Sequence, residues 1–335
     1  MAYTEIDNPE LYFQVKTYSG DSSGQAITLD GEEDMAPNLV WLKRRDASAG
    51  GKINDTVRGV NKQLVTNNTN PEGTDTNQLT AFGSNGFTVS DNTDVSTDGG
   101  TYVAWCWKET ATAGFDIVTY TGNATDDTDI SHSLSAVPHV IIIKNRDQGS
   151  GYNWRVYHHK NTSAPETDRL NLNDTNATHD DASYWSDEAP TSSVFTLGTD
   201  SSLNGNTEGH VAYLWTEKQG YSKFGSYAGN GDADGTFIYT GFKPRWFVCK
   251  AHNAAEGWNI WDSKRSSTGN SLNEILQYDN GAEFTATDWD IDFVSNGIKM
   301  RDSDGGFNYS GYSYIYMAFA EAPFVNSNGV PCNAR

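Results

Sequence analysis

The sequence repeats one short pattern three times, and this repetition limits what the chain can fold into. A proline is followed by an apolar run and then by a lysine, in Pro37 to Lys43, Pro138 to Lys144 and Pro244 to Lys250. The prolines lie 101 and 106 residues apart, and each lysine keeps the same offset from its proline. Runs of β-branched and aromatic residues favour strands, and proline is tolerated where a strand starts. The pattern therefore predicts one core strand in three copies, with each lysine marking where that strand meets solvent.

Other features recur in the same order. A second strand follows each lysine, and each unit closes on a strand whose central alanine is Ala104, Ala212 or Ala318. A period of roughly 105 residues is too long for a solenoid repeat but matches one β-sandwich. We therefore predict an all-β chain of three tandem β-sandwich repeats, jelly-roll or concanavalin-like, over residues 1–110, 111–220 and 221–335. The linkers are short, which predicts a rigid rod or a pseudo-threefold cluster.

The charge balance limits the partners of this chain. With 44 acidic and 23 basic side chains, its formal net charge is −21, so a phosphate backbone or an anionic membrane would be repelled. We expect no nucleic-acid partner. No apolar run approaches the roughly 20 residues that span a bilayer, and the first residues lack the pattern of a signal peptide. Neither membrane insertion nor signal-directed secretion is expected.

Several motifs resemble a known family. They are Pro37 to Lys43, Asp55 to Gly59, Ser84 to Thr88, Tyr102 to Lys108 and the ending Met317 to Pro331. Together they resemble a repeated domain of unassigned function in tail-fibre and appendage-like virion proteins of marine bacteriophages, the cyanophages and pelagiphages. The resemblance covers nearly the whole chain and implies a virion-exposed structural or host-attachment protein. It brings no established catalytic or binding residues.

An Asp-x-x-Arg pair follows the second strand in two of the three units. Asp55 and Arg58 form it in the first unit, and Asp262 and Arg265 form it in the third. Its recurrence predicts a structural salt bridge or turn rather than a catalytic pair. The second unit has lost this element and has His158 and His159 instead.

Three aromatic residues are candidates for carbohydrate binding, because an exposed aromatic face can stack on a sugar ring. Tyr184 and Trp185 lie in a long insertion of the second unit, and Trp289 lies in an irregular stretch of the third. The alternative is that all three belong to the core, as expected for the tryptophans that recur at matched strand positions.

Two Asp/Gly loops are candidates for calcium, the one cofactor that the sequence suggests. Asp302 and Asp304 precede one glycine, and Asp232 and Asp234 precede another. Alternating carboxylates in loops suit calcium, but Asp-Gly is also an ordinary hairpin signal, and neither loop has the full EF-hand spacing. Calcium sites and simple turns both stay open.

These observations predict a non-enzymatic phage appendage protein on the exterior of the virion. Its expected partners are other virion proteins and a host surface glycan or outer-membrane protein. A purely structural virion part is the alternative, and a surface-polysaccharide depolymerase is a less favoured one, since no histidine or nucleophile motif is present. Three copies in one chain are compatible with a homotrimer or with a single-chain pseudo-threefold object. Function is expected where the copies differ.

Overall fold

The protein is built almost entirely of β-strands. The computed structural model describes residues 4–266 and 269–332. Strands make up 42% of the chain and helices 4%, and the strands form several antiparallel sheets. The prediction of an all-β fold is therefore confirmed. Within the described residues, no helix is long and apolar enough to cross a membrane.

The strands fall into three segments, at residues 13–107, 115–215 and 222–323. The first segment contains β1 (Phe13–Ser19), β2 (Gln25–Thr28), β3 (Leu39–Arg44), β4 (Lys52–Asp55), β5 (Lys62–Val65), β6 (Gly73–Thr74), β7 (Leu79–Gly83), β8 (Gly86–Val89) and β9 (Thr101–Trp107). The second contains β10 (Phe115–Thr121), β11 (Thr128–Ser131), β12 (Val140–Asn145), β13 (Arg155–His158), β14 (Asp168–Asn171), β15 (His179–Asp180), β16 (Val194–Leu197) and β17 (Gly209–Trp215). The third contains β18 (Ser222–Ala228), β19 (Phe237–Tyr239), β20 (Phe242–Ala251), β21 (Trp258–Asp262), β22 (Glu274–Gln277), β23 (Phe284–Thr285), β24 (Ile291–Val294), β25 (Gly297–Met300) and β26 (Ser313–Pro323). The helices are short: α1 (Thr93–Ser96), α2 (Ser201–Asn204) and the 3₁₀ turns Pro9–Leu11 and Pro165–Thr167.

Each segment forms one large sheet and one small sheet. The large sheets have six strands in equivalent orders, β1-β9-β3-β4-β5-β6, β10-β17-β12-β13-β14-β15 and β18-β26-β20-β21-β22-β23. The small sheets are β2-β8-β7, β11-β16 and β19-β25-β24. The repeated Pro-to-Lys run forms β3, β12 and β20, the third strand of each large sheet. The domain boundaries at residues 110 and 220 stay predictions.

The large sheets are apolar on both faces. Along β3, Val40 and Leu42 pack in a core that also contains Phe87 of the small sheet. Leu39 and Trp41 alternate with them and join a second core that the three large sheets share. Seven tryptophans of this shared core come from all three segments: Trp41, Trp105, Trp107, Trp154, Trp215, Trp246 and Trp258. Burial on both faces explains why the repeated strand has an unbroken apolar run.

The strand pairing corrects the predicted alignment of the last strand. The pairs that define equivalent positions are Lys43–Val103, Lys144–Val211 and Lys250–Ile315. They make Tyr316, not Ala318, the equivalent of Ala104 and Ala212. A shift of two residues keeps every side chain on the same face of the sheet, so the hydrophobic pattern cannot reveal it.

The three repeated lysines do not mark the surface, as the sequence had suggested. Lys43, Lys144 and Lys250 are 2%, 0% and 0% exposed. Each ammonium group donates to a carbonyl oxygen of another segment: Lys43 to Asp279 at 2.6 Å, Lys144 to Thr69 at 3.1 Å and Lys250 to Thr175 at 3.2 Å. These contacts run from the first segment to the third, from the second to the first, and from the third to the second. The lysines therefore close a ring of contacts.

Burial lowers the pKa of these three lysines, but they stay charged at neutral pH. Loss of hydration lowers the pKa of each ammonium group to about 8. Carbonyl oxygens replace the lost water, and Lys144 also donates to the carbonyls of Asn145 and Tyr152 at 2.9 and 3.0 Å. A buried ammonium group satisfied by backbone carbonyls fixes the turns that surround it.

The Asp-x-x-Arg pairs are salt bridges, one of the two predicted alternatives, and the structure adds that they are buried. Asp55 and Arg58 are 2.5 Å apart, and Asp262 and Arg265 are 2.6 Å apart. Both aspartates also accept a hydrogen bond from another segment. The hydroxyl of Tyr213 donates to Asp55 at 2.7 Å, and the indole of Trp105 donates to Asp262 at 3.0 Å. The motif therefore joins neighbouring segments as well as stabilising its own turn.

In the second segment, both the aspartate and the donor that would face it from another segment are replaced. By strand pairing, Met317 is equivalent to Trp105 and Tyr213, and a thioether cannot donate a hydrogen bond. His158 stands in the aspartate position, and its Nε2 bonds the carbonyl oxygen of Tyr316 at 3.1 Å. Its Nδ1 accepts from the backbone N–H of Lys160, which assigns the hydrogen to Nε2. Burial lowers the pKa of His158 to about 3, so the ring is neutral.

Candidate ligand-binding site

The aromatic residues predicted in the long insertion are buried. Tyr184 and Trp185 are 4% and 1% exposed and belong to the core of the second segment. The indole of Trp185 donates to the carbonyl of Asp168 at 2.8 Å, and Arg155 and Arg169 both lie over the Tyr184 ring. Neither ring has a free face for a sugar. The insertion folds back onto the large sheet instead of projecting from it, which corrects the prediction for these two residues.

Trp289 is half-buried. Its ring packs against the core of the third segment, with Trp261 and Phe307 at centroid distances of 6.4 and 5.7 Å. On its outer side it meets the partly exposed Phe284 at 5.4 Å. Trp289 therefore covers the core, and sequence position in an irregular stretch was a poor guide to its exposure.

The two Asp/Gly loops do not assemble into a metal site. Within residues 4–266 and 269–332, no three His, Cys, Asp or Glu side chains are placed to hold a metal ion. The amide nitrogen of the buried Asn308 donates to the carbonyls of Asp232 and Asp302, at 3.0 and 2.8 Å, and so joins the two loops. Asp304 caps the backbone N–H of Gly306, and Asp234 pairs with Lys299 at 2.7 Å. The carboxylates proposed as calcium ligands serve as turn caps and ion-pair partners.

The exposed aromatic side chains are concentrated in one segment. In the part of the chain that the structure describes, all four of them, Phe237, Tyr239, Phe284 and Tyr309, belong to the third segment. Exposed large apolar residues of the other two segments are valines. The third segment therefore presents a surface chemistry that the others lack.

Two of these residues stand side by side on an edge strand. Phe237 and Tyr239 are 46% and 60% exposed, and the buried Ile238 lies between them on β19. Because side chains alternate along a strand, both rings point away from the core. In the other segments, the strands pair through Ile27 and Ile130 at the position of Ile238. Their outward neighbours are small or polar: Ala26 and Thr28 in the first segment, Asp129 and Ser131 in the second.

A glycine lets the ring of Phe237 lie close to the backbone. A Cβ atom at Gly297, on the paired strand β25, would stand 2.9 Å from the Phe237 ring. A Cβ atom at Gly241 would stand 3.8 Å from the ring of Tyr239. The ring of Phe237 thus rests on β25, whereas Tyr239 makes only ordinary contact with the following turn.

Tyr239 borders an open cleft of about 510 Å³ between the second and third segments. The polar side chains that line it are Glu5, His139, Glu217, Gln219, Ser222, Lys223 and Thr240. Glu217 and Lys223 form a salt bridge of 3.1 Å. Nδ1 of His139 accepts the backbone N–H of Glu217 at 2.9 Å, and burial lowers the pKa of this ring, which keeps it neutral at neutral pH. The cleft therefore offers hydrogen-bond donors and acceptors beside an aromatic wall, an arrangement suited to binding a polar ligand with an apolar face.

The sequence contains a signal for this surface, which appears only when equivalent positions of the three copies are compared. Aligning the copies on Ile27, Ile130 and Ile238 shows that only the third copy has aromatic residues on both sides of the isoleucine. The strand is three residues long in the third segment and carries no Pro-to-Lys pattern, so it did not stand out.

Comparison with known proteins places the chain in a family without assigning its role. Neither the curated proteins nor the solved structures contain a match to this sequence. One family model matches residues 8–323, which is nearly the whole chain. The chain belongs to the family described as a domain of unknown function, DUF7483.

Proposed function

We propose that this chain is a non-enzymatic appendage protein on the exterior of a bacteriophage particle, where it contacts the surface of the host cell. The observation that carries the proposal is the restriction of exposed aromatic residues to one of three segments that share a strand order. A purely structural body has no need for Phe237 and Tyr239 in place of small polar residues. The resemblance of its motifs to tail-fibre and appendage-like virion proteins supports the phage context.

The proposal includes the finer description of the fold. Each segment is a β-sandwich of the jelly-roll or concanavalin-like kind, and other virion proteins hold it in the particle. The separate cores between each large sheet and its small sheet support the sandwich description. The core shared by the three large sheets supports a single-chain pseudo-threefold body, with a homotrimer of such bodies as the alternative.

Cell binding tests the attachment role. Fluorescently labelled protein is incubated with a panel of marine bacteria before and after periodate oxidation of the cell surface. We expect binding to at least one strain and its loss after periodate treatment if the receptor is a glycan. Binding that survives periodate but is lost after proteolysis of the cells would assign the receptor to an outer-membrane protein. Absence of binding to a strain that the parent phage infects would overturn the attachment role.

A structural virion part is the second candidate, favoured by the extensive closure between segments. Antibody labelling of intact particles followed by electron microscopy separates the two. Label at the tip of a tail or fibre supports attachment, whereas an internal or shaft position supports the structural role. Release of reducing ends from host polysaccharide would instead indicate a depolymerase.

A further inference from the structure

We infer that Phe237 and Tyr239, together with the adjoining cleft, form a binding site for uncharged sugar units of a polysaccharide. The inference rests on the proposed attachment function and names its ligand class and its residues. The site lies on the third segment alone, at the edge strand β19 and the seam with the second segment.

The first argument is the shape of the aromatic surface. Two residues apart on a strand, the Cα atoms of Phe237 and Tyr239 are roughly 6.8 Å from each other. Two neighbouring rings on one face make a strip that an extended chain of pyranose units can follow. The C–H face of a pyranose is apolar, while its hydroxyl groups lie around the rim. Tyr239 adds a phenolic hydroxyl that can bond to that rim.

The second argument is preorganisation. The ring of Phe237 lies against the backbone of Gly297, where a Cβ atom would stand 2.9 Å from it, so this ring is held in place before any ligand arrives. An aromatic side chain that is already ordered loses little rotamer freedom when it is covered, so more of its contact energy remains as affinity.

The third argument is charge. The protein has a net charge of −21, which disfavours binding of acidic polysaccharides. Within the cleft, the one lysine of the lining is paired with Glu217, and the carboxylate of Glu5 lies 3.8 Å from the ammonium group of Lys218. Carboxylates accept hydrogen bonds from sugar hydroxyl groups, and Lys223 and Gln219 donate them. The paired charges of the cleft therefore suit an uncharged sugar, and the net charge of the protein disfavours a uronic acid.

Affinity electrophoresis tests the inference without needing the host. The full-length protein is run through native gels that contain laminarin, dextran or galactomannan as neutral probes, and alginate as the acidic probe. We expect at least one neutral polysaccharide to retard the protein and alginate to leave its mobility unchanged. Retardation by alginate alone, or by none of the neutral probes, would overturn the assignment.

Variants then assign the binding to the two rings. Tyr239→Ala and Phe237→Ala are each expected to weaken retardation about tenfold, because each removes one exposed ring contact. The double variant Phe237→Asp and Tyr239→Ser copies the residues of the second segment and should abolish binding. Phe284→Ala, which removes an exposed ring elsewhere on the third segment, is the matched control and should bind normally. Equal loss in the control would overturn the site, and unchanged thermal unfolding shows that the variants are folded.

Two further measurements separate this inference from its alternatives. If the double variant still binds cells in a periodate-sensitive way, attachment stands and this site is not the one responsible. If sedimentation velocity shows that the wild type self-associates and the double variant does not, the strip is an interface between copies of the chain, and the sugar assignment is wrong.

Discussion

At the residue scale, two equivalent glutamates follow the first and second segments, and their neighbours have opposite charges. Glu109 and Glu217 each lie two residues after the last tryptophan of a segment, Trp107 or Trp215. Each carboxylate accepts a hydrogen bond from a backbone N–H, that of Ile117 or Phe224 respectively. Glu217 pairs with Lys223, whereas Asp116 occupies the position of Lys223 beside Glu109. Burial and the Asp116 carboxylate raise the pKa of Glu109 to about 7.

This difference predicts a pH dependence that Glu109→Gln should remove. The pKa of Glu109 is higher in the folded protein than in the unfolded chain, where it is about 4.3. Folded protein therefore holds more protons between these values, and stability falls as pH rises toward 7. We expect Glu109→Gln to raise the urea midpoint at pH 8 and to change it little at pH 4.

Glu217→Gln is the matched control for that measurement. It removes the partner of a partly exposed lysine and should lower stability at pH 8 by less than about 1 kcal/mol. A Glu109→Gln protein that is less stable than wild type at both pH values would show that repulsion between the carboxylates of Glu109 and Asp116 does not destabilise the fold.

At the element scale, the end of one strand in each large sheet is tied to a loop of another segment. The lysines of β3, β12 and β20 make this tie through backbone carbonyls. The aspartates that end β4 and β21 make a second one through Tyr213 and Trp105. Both ties use residues that recur in the sequence. Repeated polar residues in this protein therefore hold the segments together.

Replacing one lysine tests the value of such a tie. Lys144→Met keeps most of the side-chain volume but leaves the carbonyls of Thr69, Asn145 and Tyr152 without their donor. We expect a loss of about 3 kcal/mol in the free energy of unfolding, measured by urea titration at pH 7. Lys62→Met, at a lysine whose side chain is 37% exposed, should cost less than about 1 kcal/mol. Equal effects of the two substitutions would argue against the ring of contacts.

At the scale of the whole molecule, the three segments close on one another around a common core. The ends of the described chain also meet, because the carboxylate of Asp7 accepts the backbone N–H of Ser327 at 2.7 Å. The joint between the first and second segments has exposed residues at Ala111 and Thr112. The fold should therefore tolerate circular permutation, with new ends at this exposed position.

A circular permutant and an excised segment test this closure. A chain that begins at Thr112, ends at Ala111 and joins the old ends by a short Gly/Ser linker should fold, with a Tm within about 8 °C of wild type. Residues 111–220 alone would expose the face that carries Trp154 and Trp215, and should show no cooperative thermal transition. A sharp transition in that fragment would mean that the segments are independent domains.

Much of the local structure follows from the sequence. The Pro-to-Lys runs predicted β3, β12 and β20, and the repeated Asp-x-x-Arg predicted the salt bridges of Arg58 and Arg265. The errors have one physical origin. Tyr184 and Trp185 were expected to be exposed because they lie in an irregular insertion, and the repeated lysines because they end an apolar run, whereas each large sheet is buried on both faces. The residue pattern within a strand does not show which loops or strand ends another segment will cover.

The sequence by itself determined the all-β class, the recurring strands and a structural role for the Asp–Arg pairs, because alternation, turn residues and repetition are local properties. Only the tertiary structure decided that Tyr184 and Trp185 are buried, that the lysines join segments, and that Phe237 and Tyr239 stand exposed beside a cleft. Those outcomes depend on which surfaces meet across more than 60 residues of chain, as between Thr69 and Lys144. The free energy of such contacts comes from packing and desolvation between distant strands, which no short stretch of sequence contains.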